Sequence, residues 1–142
     1  MRFLFALLAI YALTSCAKSS QGTAGSASAA AAKNPASASD GATVYLANCS
    51  SCHQTNGNGV PGAFPPLAAN PLVTGNAVAV IAIVKNGLEG RIVVNGQAYS
   101  GIMPRWSGVL SDQQIAAVIS YIRSAWKNGA SGVSLSDVQS VR

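Results

Sequence analysis

The sequence predicts a small all-α domain over residues 40–142, with room for one short β-hairpin. Three observations carry this reading. Ser111-Asp112-Gln113-Gln114 has the S-x-x-Q form of a capping box, and behind it Ile115, Val118, Ile119, Ile122 and Trp126 share one helical face. The apolar run Asn76–Asn86 is closed by Gly87, a common left-handed helix stop. Finally, Cys49-Ser50-Ser51-Cys52-His53 has the form C-x-x-C-H, the attachment sequence for a c-type haem. The helices are therefore expected to wrap one covalently bound haem c.

Ahead of the domain the chain reads as an export leader and a tether. Residues 1–15 have the order of a signal peptide: a basic start at Met1-Arg2, then an apolar run from Phe3 to Leu13. That run of eleven residues is too short for an ordinary membrane-spanning helix. Leu13-Thr14-Ser15-Cys16 resembles the lipobox of bacterial lipoproteins, which implies cleavage before Cys16 and a diacylglycerol on its thiol. The alternative is an ordinary cleaved signal with an incidental cysteine. Residues 16–39 form an Ala/Ser/Gly linker; from Ala17 onward it has no Leu, Ile, Val or aromatic side chain with which to build a core. As a flexible coil it would span roughly 25 Å. The expected location is the periplasmic or extracytoplasmic face, anchored to a membrane by lipid, and Ala17 lacks the aspartate that retains many lipoproteins at the inner membrane. The cysteines then balance, with Cys49 and Cys52 on haem, Cys16 on lipid and none left for a disulfide.

Within the domain, Asp40 is placed to cap a first helix that carries Val44, Tyr45 and Leu46 up to Cys49. Asn76–Asn86 reads as a second helix, although its β-branched residues keep a strand open. Arg91–Val94, then Asn95-Gly96, then Gln97–Tyr99 is a hairpin signal. The capped helix from Ser111 is the strongest in the chain, and Ser136-Asp137 before Val138 and Val141 suggests one more helical turn. The chain's +5 charge overstates the domain: six bases and four acids in residues 40–142 leave +2. That gives no case for nucleic acid binding and only weak steering of a partner.

The chemistry follows from the few soft ligands. Two thiols three residues apart can form thioethers to both vinyl groups of one porphyrin, and His53 then offers its imidazole to the iron. A thioredoxin-like pair would need a preceding strand in a βαβ unit, and zinc would need a fourth ligand. His53 is the only histidine. Met103 is the only methionine left once Met1 departs with the leader, and Pro104 holds it in extended backbone rather than helix. His/Met ligation favours reduced iron and raises the potential. The rivals for the sixth position are Lys85, Lys127, water or an open site, and a core methionine is the alternative role for Met103.

Residues 40–142 resemble the class I c-type cytochromes. Gly41 and Tyr45 stand where that family places a small and an aromatic residue before the haem motif. Val118 and Tyr121 match the positions on its C-terminal helix that cross this first helix, and Gly101-Ile102-Met103-Pro104 is similar to its methionine loop. Pro65-Pro66-Leu67 resembles the family's P-x-L segment, which implies that the Pro65 carbonyl accepts a hydrogen bond from His53 Nδ1. The segment Val60–Leu67, the Val94-Asn95-Gly96 turn before Tyr99 and the tail Trp126-Lys127-Asn128 are similar to cytochrome subunits of periplasmic alcohol and sugar dehydrogenases, and to haem domains of some nitrite reductases.

The resemblance implies a small cytochrome c fold and a one-electron carrier without catalysis of its own. Its redox partners would be a donor dehydrogenase or respiratory complex and an acceptor oxidase or reductase. Two other readings stand beside it: a dedicated subunit of a dehydrogenase or nitrite reductase complex, and a gas-binding sensor with a labile Met103. Val60, Ala63 and Ile102 are candidates for a small docking patch at the haem edge, or for loop packing. Trp106, Arg91 and Tyr99 are candidates to approach the propionates, the alternative being a core tryptophan and a hairpin surface.

Overall fold

The computed structural model describes residues 38–142. The expected signal peptide 1–15, the lipid site Cys16 and the linker up to residue 37 lie outside the described residues. Six α-helices and one hairpin follow in order among the described residues.

Helix α1 (Ala38–Asn48) begins before Asp40. Asp40 therefore does not cap it but sits in its first turn, where a carboxylate still complements the helix dipole. One short turn, α2 (Ser50–His53), carries the haem motif. Helix α3 (Pro71–Thr74) is capped by Asn70, whose side chain accepts from the Leu72 N–H at 2.9 Å, with proline at a position that needs no N–H. Helix α4 (Ala77–Asn86) is capped by Asn76 and stopped at Gly87, which has φ +81. Caps at both ends settle the choice between helix and strand that its β-branched residues leave open.

Strands β1 (Ile92–Val94) and β2 (Gln97–Tyr99) pair antiparallel with Val94 opposite Gln97. Asn95 and Gly96 lie between them at φ +50 and +80, as a two-residue hairpin turn requires. Helix α5 (Asp112–Ser124) has the expected reciprocal capping box between Ser111 and Gln114. Helix α6 (Leu135–Ser140) has a second box, between Ser134 and Asp137.

A second expectation fails. Trp126 is not on the continuous face of α5, because the helix ends at Ser124 and a tight 3-10 turn, Ala125–Lys127, follows. Trp126 and Lys127 there take left-handed φ values of +50 and +66. The kink lets Trp126 meet Tyr45 and Tyr121, with ring centroids 5.1 and 5.7 Å away. Edge-on aromatic packing outweighs continuation of the helix.

The core forms where α1 and α5 cross, with α4 alongside. Val44 and Tyr45 of α1, Val80, Ile81 and Val84 of α4, and Ile115, Val118, Ile119 and Ile122 of α5 are all buried. The crossing is close because residue 41 is glycine. A Cβ there would lie 2.2 Å from the Ala117 carbonyl oxygen and 2.7 Å from Tyr121 Cβ. The C-terminal segment closes the core with Val133, Val138 and Val141. Ser120 Oγ donates to the Val133 carbonyl and accepts from its N–H, and Lys85 Nζ donates to the Val138 and Val141 carbonyls at the end of α6. Among the described residues no helix is long and apolar enough to cross a membrane.

Candidate haem site

Cys49 closes α1 and leads into the single turn of α2. The N–H groups of Cys52 and His53 both donate to the Cys49 carbonyl, at 3.2 and 2.9 Å. This compact turn brings both thiols and the imidazole to the wall of one cavity of about 280 Å³. Neither thiol is in a disulfide. Burial, and then the neighbouring Cys52, push the Cys49 thiol up to about 11.

His53 is buried, and its Nδ1 lies 2.9 Å from the Pro65 carbonyl oxygen. A carbonyl only accepts, so Nδ1 carries the proton and Nε2 is left as the free nitrogen. Burial lowers the imidazole pKa against the opposing pull of the Pro65 hydrogen bond. The ring is thus held neutral, the form that binds metal. The loop that carries Pro65 is held just beyond it. The Leu67 N–H donates to the Gly57 carbonyl at 2.7 Å, and Asn70 Nδ2 donates to the Pro66 carbonyl at 2.7 Å. Asn128 then ties this loop to α5, with Nδ2 donating to the Leu67 and Ile122 carbonyls and Oδ1 accepting from the Ala69 N–H.

Met103 reaches the same cavity from the opposite part of the chain. Its backbone pairs in both directions with Leu88, at 3.0 and 2.9 Å, like a single rung of a sheet. Gly87 makes room for this approach, since a Cβ there would lie 2.6 Å from the Met103 carbonyl oxygen. Past Pro104, the N–H groups of Trp106 and Ser107 donate to the Val84 and Lys85 carbonyls. They satisfy acceptors that the end of α4 leaves open.

A second, smaller cavity of about 80 Å³ shares Cys49, His53, Pro65, Leu88, Ile92, Met103 and Trp106 with the first. It extends inward to Val73, Val80, Val84, Val118 and Ile122. The walls are almost wholly apolar. They suit a flat porphyrin, with a neutral imidazole, a thioether and two thiols as its points of attachment. Among the described residues no group of three or more His, Cys, Asp and Glu is gathered as a metal cage, so the zinc alternative gains no fourth ligand.

Of the other sequence candidates, Tyr99, Trp106, Ala63 and Ile102 line the larger cavity. Arg91 and Val60 do not line it, so their suggested places at the propionates and the haem edge gain no support. Neither Lys85 nor Lys127 lines either cavity, and Lys85 is committed to the carbonyls of α6.

Sequence reasoning missed the Leu88 pairing, the Asn128 clamp and the role of the Tyr45 hydroxyl. Tyr45 is fully buried, and its hydroxyl donates to the carbonyl of Gln54 at 2.5 Å, one residue past His53. The α3 turn had a signal: Asn70-Pro71 is a cap followed by a proline at the first helical position.

Comparison with known proteins gives a consistent picture. The family described as Cytochrome c matches residues 38–126. "Cytochrome c-552" of Thermus thermophilus is 44% identical over 91 residues, covering 61% of this chain and 68% of that protein. The "Alcohol dehydrogenase (quinone), cytochrome c subunit" of Gluconobacter oxydans is 43% identical over 105 residues, covering 72% of this chain but only 22% of that subunit. The "Cbb3-type cytochrome c oxidase subunit CcoP" of Azospirillum brasilense is 36% identical over 92 residues, covering 63% of this chain and 28% of that subunit.

Proposed function

This chain belongs to the cytochrome c family, and from that premise we propose an exported, membrane-tethered monohaem carrier that passes single electrons from a periplasmic or membrane donor to a terminal oxidase or reductase. Haem c, held covalently in this family, supplies a one-electron couple at its iron. Cys49 and Cys52 hold it by thioethers. His53 offers Nε2 to the iron, while its Nδ1–H on Pro65 fixes tautomer and ring plane. Met103 would offer its thioether as the second protein ligand. With His53 and Met103 both engaged, no substrate would reach the metal, and the chain would catalyse nothing alone.

The observation that supports this reading is that His53 and Met103 line one apolar cavity, each fixed through backbone: His53 through Pro65, and Met103 through Leu88. Cys16 would take the lipid and residues 16–39 would form the tether.

The likeness to dehydrogenase cytochrome subunits favours a second reading, a fixed subunit of a larger complex. Copurification of a catalytic partner at constant ratio would select it.

The first test is an optical spectrum of the matured protein, oxidised and reduced, with carbon monoxide added last. The carrier reading expects a low-spin c-type spectrum, a weak far-red methionine–ferric band and no response to carbon monoxide. Ready carbon monoxide binding, or no far-red band, would remove Met103 as a firm ligand and bring the sensor reading forward.

A further inference from the structure

Arg123 sits near the end of α5 and is only 6% exposed. Its Nε and Nη1 are engaged with backbone. Nε donates to the Ser131 carbonyl at 2.7 Å, and Nη1 donates to the carbonyls of Val73 at 2.6 Å and Gly75 at 3.1 Å. None of the chain's four acids, Asp40, Glu89, Asp112 and Asp137, takes part. The carbonyl dipoles that Nε and Nη1 meet carry no net charge and leave the unit charge uncancelled. A buried charge of this kind is costly and acts far more strongly on its surroundings than one in water.

Arg123 itself lines neither part of the haem cavity, but its guanidinium stands one residue behind the wall. Val73, whose carbonyl holds Nη1, lines the inner part of that cavity, and so does Ile122, the residue before Arg123. Uptake of one electron at the site makes and breaks no bond and lowers its net charge by one. A fixed cation nearby favours that change.

We propose that Arg123 is a built-in cation that raises the reduction potential of this cytochrome, an inference that rests on the haem reading above. The native residue would then do two things at once: pin α3 to α5, and bias the cofactor toward its reduced state.

The test compares midpoint potentials of the matured full-length protein with those of Arg123→Gln, Arg123→Met and Arg123→Lys, recording the far-red methionine band of each. The neutral variants are expected to lower the reduction equilibrium constant about tenfold, about 59 mV for one electron. Arg123→Lys, which keeps the charge and loses the fork of hydrogen bonds, stays near the native value, and all retain the band. The gap should also persist in about 1 M salt, which screens surface charges but not buried ones. A native potential in either neutral variant overturns the proposal. So does an equal fall in Arg123→Lys, or loss of the band or of haem in all three, since each assigns Arg123 to structure alone. Absence of the methionine band in the native protein would instead sink the ligand assignment, and the same set of potentials would still decide the role of Arg123.

Discussion

Gln54 occupies backbone that almost only glycine adopts, φ +63 and ψ +156, immediately after the histidine on which the site depends. Such a conformation costs on the order of 1–3 kcal/mol and persists only where its surroundings impose it. Here the Tyr45 hydroxyl imposes it, by donating to the Gln54 carbonyl from inside the core. Burial, then the neighbouring Cys49 and Tyr121, hold the Tyr45 phenol above the usual tyrosine range, so it remains a donor. Tyr45→Phe keeps the ring contacts and should cost about 1 kcal/mol in chemical denaturation. Gln54→Gly should stabilise the native protein and recover part of that loss, because it removes the strain rather than the clamp. If Gln54→Gly destabilises, the strain account is wrong. Met103→Ala makes a sharper point. It should abolish the far-red band and open the iron to carbon monoxide while leaving the haem covalently attached, as a pyridine haemochrome assay would read.

Several helix starts are set by capping side chains, of which Ser111 was read from the sequence and Asn70 and Ser134 were not. Both capping boxes lie where a serine precedes Gln or Asp by three residues. Ser111→Ala should cost about 1 kcal/mol in thermal or denaturant unfolding. The second box carries a pH signature. The Ser134 backbone N–H, and then its hydroxyl, hold the Asp137 carboxyl below the usual carboxylate range. Because the folded value is depressed, this contribution is present above the unfolded pKa of about 3.9 and is lost as pH falls through the folded value. Asp137→Asn keeps an acceptor oxygen and should flatten that acid limb of the stability curve, with little change at neutral pH. An unchanged acid limb would deny the box its electrostatic part. Gly41→Ala, forced against the Ala117 carbonyl, should cost about 1–3 kcal/mol by overpacking.

Local signals of this kind made α4, α5, α6 and the hairpin readable, because cap, period and turn lie within a few residues of one another. Trp126 was misplaced because its position is decided by Tyr45 and Tyr121, far away in sequence. The site divides in the same way. Cys49, Cys52 and His53 announce themselves by spacing, and Met103 by elimination. The Leu88 rung, the Asn128 clamp and the Tyr45 bond are long-range pairings of common residue types, and no local pattern marks them.

At the scale of the whole molecule, three stretches converge on one cavity: the haem motif, the Pro65 loop and the Met103 loop. Their supports run through α1, α4 and α5, so core and site are one structure rather than a scaffold with an attachment. The proposed lipid anchor has a direct test. Cys16→Ser should move the cytochrome from the membrane to the soluble fraction without altering its spectrum, and a variant that stays with the membrane would rule out lipid as the anchor. The Leu88–Met103 rung carries one more consequence. It is made of main chain alone, as are the bonds from Trp106 and Ser107 to the end of α4. The path of the loop is therefore drawn by main chain, while the side chain at position 103 adds its packing against the core. A lineage that traded electron carriage for gas binding at this position would keep the path of the loop and lose the packing of one side chain.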